Sequence, residues 1–162
     1  MILIYPPRFI PFNGAVIFRN GGANLRITLE SDYALRIVGE LAEIDGVTDA
    51  NTLAERTFVS RKFALKILHK LVRGGIVASY KGAKGGYKLK ISPDSITLKH
   101  VIELIDGPIA MVRCLENSEG CSMNRDKTAC IYHHIFDKIS LDVAKKLESI
   151  TIQDVLLKKY SI

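Results

Sequence analysis

Ser60-Arg61-Lys62-Phe63-Ala64-Leu65-Lys66-Ile67-Leu68-His69-Lys70-Leu71-Val72-Arg73-Gly74-Gly75 is the stretch from which the rest of the chain can be read. A serine hydroxyl at its start accepts from the free N–H groups of a first helical turn, and the glycine pair at its end stops the helix. Between them, Ala64, Ile67, Leu68, Leu71 and Val72 follow i, i+3, i+4, i+7 spacing and form the buried face of a helix over 61–73. Arg61, Lys62, Lys66, His69, Lys70 and Arg73 fall on the remaining surface. A helix that presents cations in this way suits the DNA major groove, with its N-terminal residues nearest the bases. Arg61 and Lys62 are the candidates for base contact, and Ser60 joins them as the residue that opens the helix. Lys66 and Lys70 are candidates for phosphate contact, which adds affinity without sequence discrimination.

Upstream, the pattern supplies the partner that such a helix needs. A short helix over 49–56, capped by Thr48, buries Ala50, Leu53 and Ala54, and the tight connection Thr57-Phe58-Val59 joins it to Ser60. Two helices around a three-residue turn, the second strongly basic, make a helix-turn-helix. Before them lies a first helix through 32–42, capped by Thr28 or Ser31 and ended by Gly46. Its apolar stripe is Ala34, Leu35, Val38, Leu41 and Ala42. Residues 1–24 carry Pro6, Pro7, Pro11 and the Gly21-Gly22 pair, with no helical or strand periodicity that persists.

Downstream, 76–80 and 87–91 alternate apolar with polar residues around a loop holding Lys81, Gly82, Lys84, Gly85 and Gly86, which reads as a β-hairpin. Its glycine-rich, cationic tip fits a wing lying along a DNA groove, with Lys81 and Lys84 as the contacts. A nucleotide-binding loop is the competing reading, and the missing G-x-x-x-x-G-K pattern and the lack of a following helix argue against it. Ser95 or Thr97 then caps a short helix through Leu98, Val101, Ile102 and Ile105 that stops at Gly107-Pro108. From about Ile131 a longer helix places Phe136, Ile139, Val143, Leu147 and Ile150 on one stripe, broader than a small domain beneath it needs. Pairing of two copies along it is the expected use. Thr151-Ile152-Gln153-Asp154 starts one last turn. The fold class is thus mainly α with a small β-hairpin. A winged helix-turn-helix domain over 25–93 precedes a cysteine loop and long C-terminal dimerisation helix over 94–162.

Charge supports a polyanionic partner. The net charge is +6, but its placement is more informative than its size. From Arg56 to Pro93 there are ten Lys or Arg residues and no acid, the footprint of a polyanionic partner, which the helix-turn-helix and wing specify as double-stranded DNA. No apolar run approaches the roughly 20 residues of a membrane span, and no basic segment precedes the N-terminal apolar stretch, so the expected location is the cytoplasm. His69 and His100 sit on helices without a nearby cysteine or serine nucleophile, which argues against an enzyme.

The three cysteines, Cys114, Cys121 and Cys130, lie within 17 residues, and His133 and His134 follow closely. Asn117, Gly120, Asn124 and Asp126 let the segment fold around an ion. Three thiols in one polar loop argue against inert buried cysteines. Structural zinc with His133 or His134 as fourth ligand is one reading, although the C-x2-C knuckle is missing. An iron–sulfur cluster held by three thiolates and one weaker nitrogen or oxygen ligand is the other, and it suits a sensor.

Residues 25–35, the Val59-Ser60 helix start, the 81–87 loop and the three cysteines followed by His133 together resemble the Rrf (BadM-type) family of winged-helix regulators. The resemblance runs from Leu25 to about Leu156. It implies homodimers on palindromic operators whose binding follows the state of a [2Fe-2S] or [4Fe-4S] cluster that senses redox, nitric oxide or iron status. It carries Cys114, Cys121 and Cys130 over as iron ligands, and offers His133 or Asp32 as the fourth. Two departures stand out: the cysteine gaps are wider than the family's, and Lys81 stands where the wing commonly has arginine, which is not interchangeable with lysine in a groove. Family chains begin near Leu25, so 1–24 is expected to be an extension from an upstream start, with Leu25 the initiation site.

Overall fold

The computed structural model describes residues 9–12, 15–18, 27–82, 84–116 and 129–158. Cys121 and Leu25 lie outside these residues. The first element is an antiparallel hairpin of β1 (Phe9–Phe12) and β2 (Ala15–Phe18), with Phe9 opposite Phe18 and Phe12 opposite Ala15. It departs from the expectation of no regular structure in this segment. Both strands are apolar without alternation, so a period-of-two test passes over them. Asn13-Gly14 between them is a strong hairpin dipeptide.

Helix α1 (Leu29–Glu43) starts where the Thr28 hydroxyl accepts from Ser31 N at 3.2 Å. It buries Ala34, Ile37, Val38 and Leu41. Ile37 completes the i, i+3, i+4, i+7 stripe, while Leu35 and Ala42 sit at its edge. Helix α2 (Ala50–Thr57) is capped by Asp49, one residue later than expected, through bonds from Asn51 N at 2.8 Å and Thr52 N at 3.2 Å. Thr48 is drawn into extended backbone instead. Its N–H donates to Tyr87 O at 3.0 Å and its carbonyl accepts from Tyr87 N at 2.7 Å. Helix α3 (Arg61–Arg73) has the expected Ser60 cap and ends at Gly74.

The wing follows as β3 (Val77–Tyr80) and β4 (Gly86–Leu89), with Val77 opposite Leu89 and Tyr80 opposite Gly86. A side chain at Gly86 would run into the Thr48 carbonyl, so the Thr48–Tyr87 pairing requires glycine there. After a 3-10 turn at Pro93–Ser95, Thr97 caps α4 (Leu98–Asp106), which stops at Gly107 with φ 91°. The short α5 (Arg113–Glu116) and the long α6 (Ile131–Glu148) come next. Ile150 lies beyond the end of α6 and accepts from Leu98 N at 2.9 Å. Finally α7 (Ile152–Leu156) starts at a capping box of Thr151 and Asp154 and packs on α1.

Among the described residues, one hydrophobic core joins α1, α2, α3, the wing, α4 and α7. Ile37, Leu53, Ile67, Leu68, Leu71, Ile76 and Val77 share it with Ile96, Val101, Ile105 and Ile152, so it crosses position 93 and takes in both α4 and α7. Each such side chain contributes about 1.5–3 kcal/mol on burial, and together they fix the angle at which α3 leaves the body. No helix among the described residues is long and apolar enough to cross a membrane.

Candidate nucleic-acid interface and thiol site

Packing of Ala64, Ile67, Leu68 and Leu71 into the core turns the opposite side of α3 outward. Ser60, Arg61 and Lys62 are exposed at its N-terminal end, and neither cation has an acidic partner among the described residues. Lys81 and Lys84 are exposed at the wing tip. Between α3 and the wing runs a concave surface lined by His69, Val72, Arg73, Ser79 and Tyr87. α3, this concave surface and the hairpin loop thus each carry exposed cations and no acid of their own.

The two remaining lysines are placed differently. Glu30, in the first turn of α1, reaches Lys70 Nζ at 2.8 Å and Lys66 Nζ at 3.0 Å. Lys70 also donates to the Ile105 carbonyl at 3.3 Å, in the last turn of α4. Thr28 bonds the neighbouring Asp106 through both its hydroxyl, at 2.5 Å, and its N–H, at 3.3 Å. The starts of α1 and the ends of α4 are thus tied to the recognition helix. Sequence reading missed Glu30 because its partners lie on another helix, beyond any local spacing rule. It also passed over Phe58, which caps α2 in the left-handed region at φ 55° and is 89% exposed at the tip of the turn.

The thiol site gathers at the N-terminus of α6. Cys130 immediately precedes this helix and does not cap it with its side chain. Cys114, on α5, brings its Sγ to 3.6 Å from Nδ1 of His133 in the first turn of α6. Both side chains are half-buried, and Met111 N donates to the buried Ser140 hydroxyl at 3.1 Å, holding the α5 segment against α6. Of the two fourth-ligand candidates, the described contacts bring His133 to Cys114. Asp32 pairs with Arg36 one turn along α1 at 2.6 Å. No group of three metal-ligating side chains closes among the described residues, which do not include Cys121.

The Cys114–His133 separation tests the fit of a metal. Metal–sulfur and metal–nitrogen bonds of about 2.3 and 2.0–2.1 Å at a tetrahedral angle put the two donors about 3.6 Å apart. The sulfur and the imidazole therefore stand at the separation of two donors on one metal, as in a zinc site or on one iron of a [2Fe-2S] cluster, and closer than donors on separate irons of a [4Fe-4S] cluster. The same distance suits a thiol–imidazole hydrogen bond.

The Rrf2 sequence profile, described as iron-dependent transcriptional regulator, matches residues 27–158. This chain belongs to the Rrf2 family. A putative rrf2-like HTH-type transcriptional regulator of Rhodobacter capsulatus is 31% identical over 138 residues, covering 80% of this chain and 91% of the relative. The HTH-type transcriptional regulator IscR of Aliivibrio salmonicida is 26% identical, over 82% of this chain and 78% of its own length. Among solved structures, that of CymR, the global cysteine regulator of Bacillus subtilis, matches with a TM-score of 0.66 at 28% identity, covering 86% of this chain and 100% of CymR. The Rrf2 chain is accordingly a winged-helix, DNA-binding transcriptional regulator and not an enzyme, and the expected fold class stands.

Proposed function

We propose that this Rrf2 protein is a cytoplasmic homodimeric repressor whose binding to a palindromic operator follows the state of an iron–sulfur cluster held by Cys114, Cys121, Cys130 and His133. The observation that carries the reading is the convergence of Cys114 Sγ and His133 Nδ1 at 3.6 Å beside Cys130. The family's description as iron-dependent supports it. When bound, such a cluster supplies iron that responds to redox change and nitric oxide. The chain's own residues transmit the response. Cys114 follows α4 in sequence, and the last turn of α4 contacts Lys70 of the recognition helix and Thr28 at the start of α1. Loss of the group that Cys114 and His133 would hold would leave α5 on α6 through the Met111–Ser140 bond and loosen the support behind α3.

Dimerisation is supported by α6, which leaves Tyr132 (70%), Ile135 (47%), Ile139 (39%) and Val143 (37%) exposed along one stripe, while Phe136 and Leu147 turn toward the protomer. A second copy covering this stripe would place two recognition helices on paired half-sites. In this arrangement Arg61→Ala weakens operator binding by about 1–3 kcal/mol and leaves random DNA less affected. Anisotropy titrations on both duplexes check this, and equal weakening makes Arg61 a phosphate contact.

A second reading, direct thiol or metabolite sensing without a cluster, is favoured by the full-length match to the cysteine regulator CymR and by the hydrogen-bonding distance between Cys114 and His133. Anaerobic purification with a visible spectrum and iron, sulfide and zinc analysis separates the two. A brown protein with stoichiometric iron and sulfide is expected. Zinc alone makes the loop structural, and a metal-free protein favours thiol chemistry.

A further inference from the structure

We propose that Glu30 is a specificity-determining residue that holds Lys66 and Lys70 back from the DNA phosphates. The proposal rests on the reading of α3 as the DNA-recognition helix. The segment from residue 57 to residue 93 contains no acid of its own, so every counter-charge on α3 is brought to it by the fold. Glu30 is that counter-charge. Its side chain is 19% exposed, with one carboxylate oxygen 2.8 Å from Lys70 and the other 3.0 Å from Lys66. Lys66 is further held over the Phe63 ring, 5.6 Å from its centroid, and Lys70 by the Ile105 carbonyl. Burial alone would raise the Glu30 pKa, but the hydrogen bonds and charges of Lys70 and Lys66 outweigh it and hold the carboxyl below the ordinary glutamate range. At neutral pH it is therefore ionised.

Two consequences follow from that charge. Pulling one lysine toward a phosphate leaves the partly buried carboxylate with a single partner, and pulling both strands it, so each move is resisted. Sequence-independent affinity scales with the number of phosphates neutralised, so withholding two lysines lowers it. Base contacts from Arg61 and Lys62 do not depend on Glu30. The ratio of specific to non-specific binding therefore rises, and specificity is that difference.

Glu30→Gln keeps the shape and an acceptor while removing the charge. Binding to a fluorescein-labelled duplex of random sequence, followed by anisotropy over a series of KCl concentrations, reads the effect. The plot of log affinity against log salt should steepen by about 1–2 units, with roughly tenfold tighter binding at low salt. Adding Lys66→Gln to this variant should return about 0.9 unit of slope. Lys66→Gln in the wild-type background should leave the slope unchanged. That single variant keeps the test open even if Glu30→Gln folds poorly by circular dichroism. An unchanged slope in folded Glu30→Gln overturns the proposal, as does a lowered slope in Lys66→Gln alone, which would show Lys66 already on a phosphate. Wild-type protein without any salt-dependent binding would overturn the DNA-recognition reading of α3 itself, a result distinct from either.

Discussion

Cys114→Ala is expected to give a folded, colourless protein that purifies anaerobically with little or no iron. Cys114 sits on the four-residue α5, half-buried and outside the hydrophobic core, so its loss removes a ligand without opening a cavity among core side chains. His133 then keeps its place on α6, held by the helix rather than by the thiol. Metal sites bound by few protein donors depend steeply on each one, because the remaining ligands must bind with an open position and the same chain entropy. Iron analysis and the visible spectrum, with a thermal melt beside them, read the result. His133→Ala should lose iron as well, and Asp32→Ala should retain it, since Asp32 is engaged by Arg36. Iron retained in His133→Ala and lost in Asp32→Ala would reverse the assignment of the fourth ligand.

Leu68→Ala should have the largest effect on stability. Leu68 is fully buried on α3, which packs on α1, α2, α4 and β3. Removing its isobutyl group costs the transfer energy and leaves a cavity that several elements border, about 2–5 kcal/mol. For a chain of this length, that lowers the melting temperature by roughly 4–20 °C. Lys62→Ala, exposed on the same helix, should stay within about 0.5 kcal/mol of the parent. The contrast separates the two faces of one helix. Leu68→Ala without a thermal shift would mean that α3 does not pack as described.

Local rules made much of this molecule legible. Ser60 and Gly74 delimit α3 because a hydroxyl cap and a glycine stop act within one turn. Lys81, Gly82 and Gly85 mark the wing because its loop chemistry is local too. The Asp49 cap was displaced from Thr48 by a tertiary event, the pairing of Thr48 with Tyr87 in the wing, which helix-start rules cannot register. Glu30 was invisible for the same reason, since a first-turn acid looks like ordinary helix-dipole chemistry until α3 is packed beside it. Periodicity makes the α6 stripe continuous, yet in the fold it divides between the protomer and solvent. Ile150 leaves it to join the start of α4. For the thiol site, the residue types and spacing named the donors, but only the packing of α5 on α6 shows His133 beside Cys114.

Metal at the thiol site is proposed to control DNA binding. The most direct measurement starts with anaerobically purified protein and a palindromic duplex that it enriches from random DNA. Affinity is measured by anisotropy before and after exposure to nitric oxide or an iron chelator. A change of about five- to 150-fold, the usual range of allosteric coupling, is expected, with none in Cys114→Ala. Equal affinity before and after, with iron demonstrably present and then removed, would contradict it.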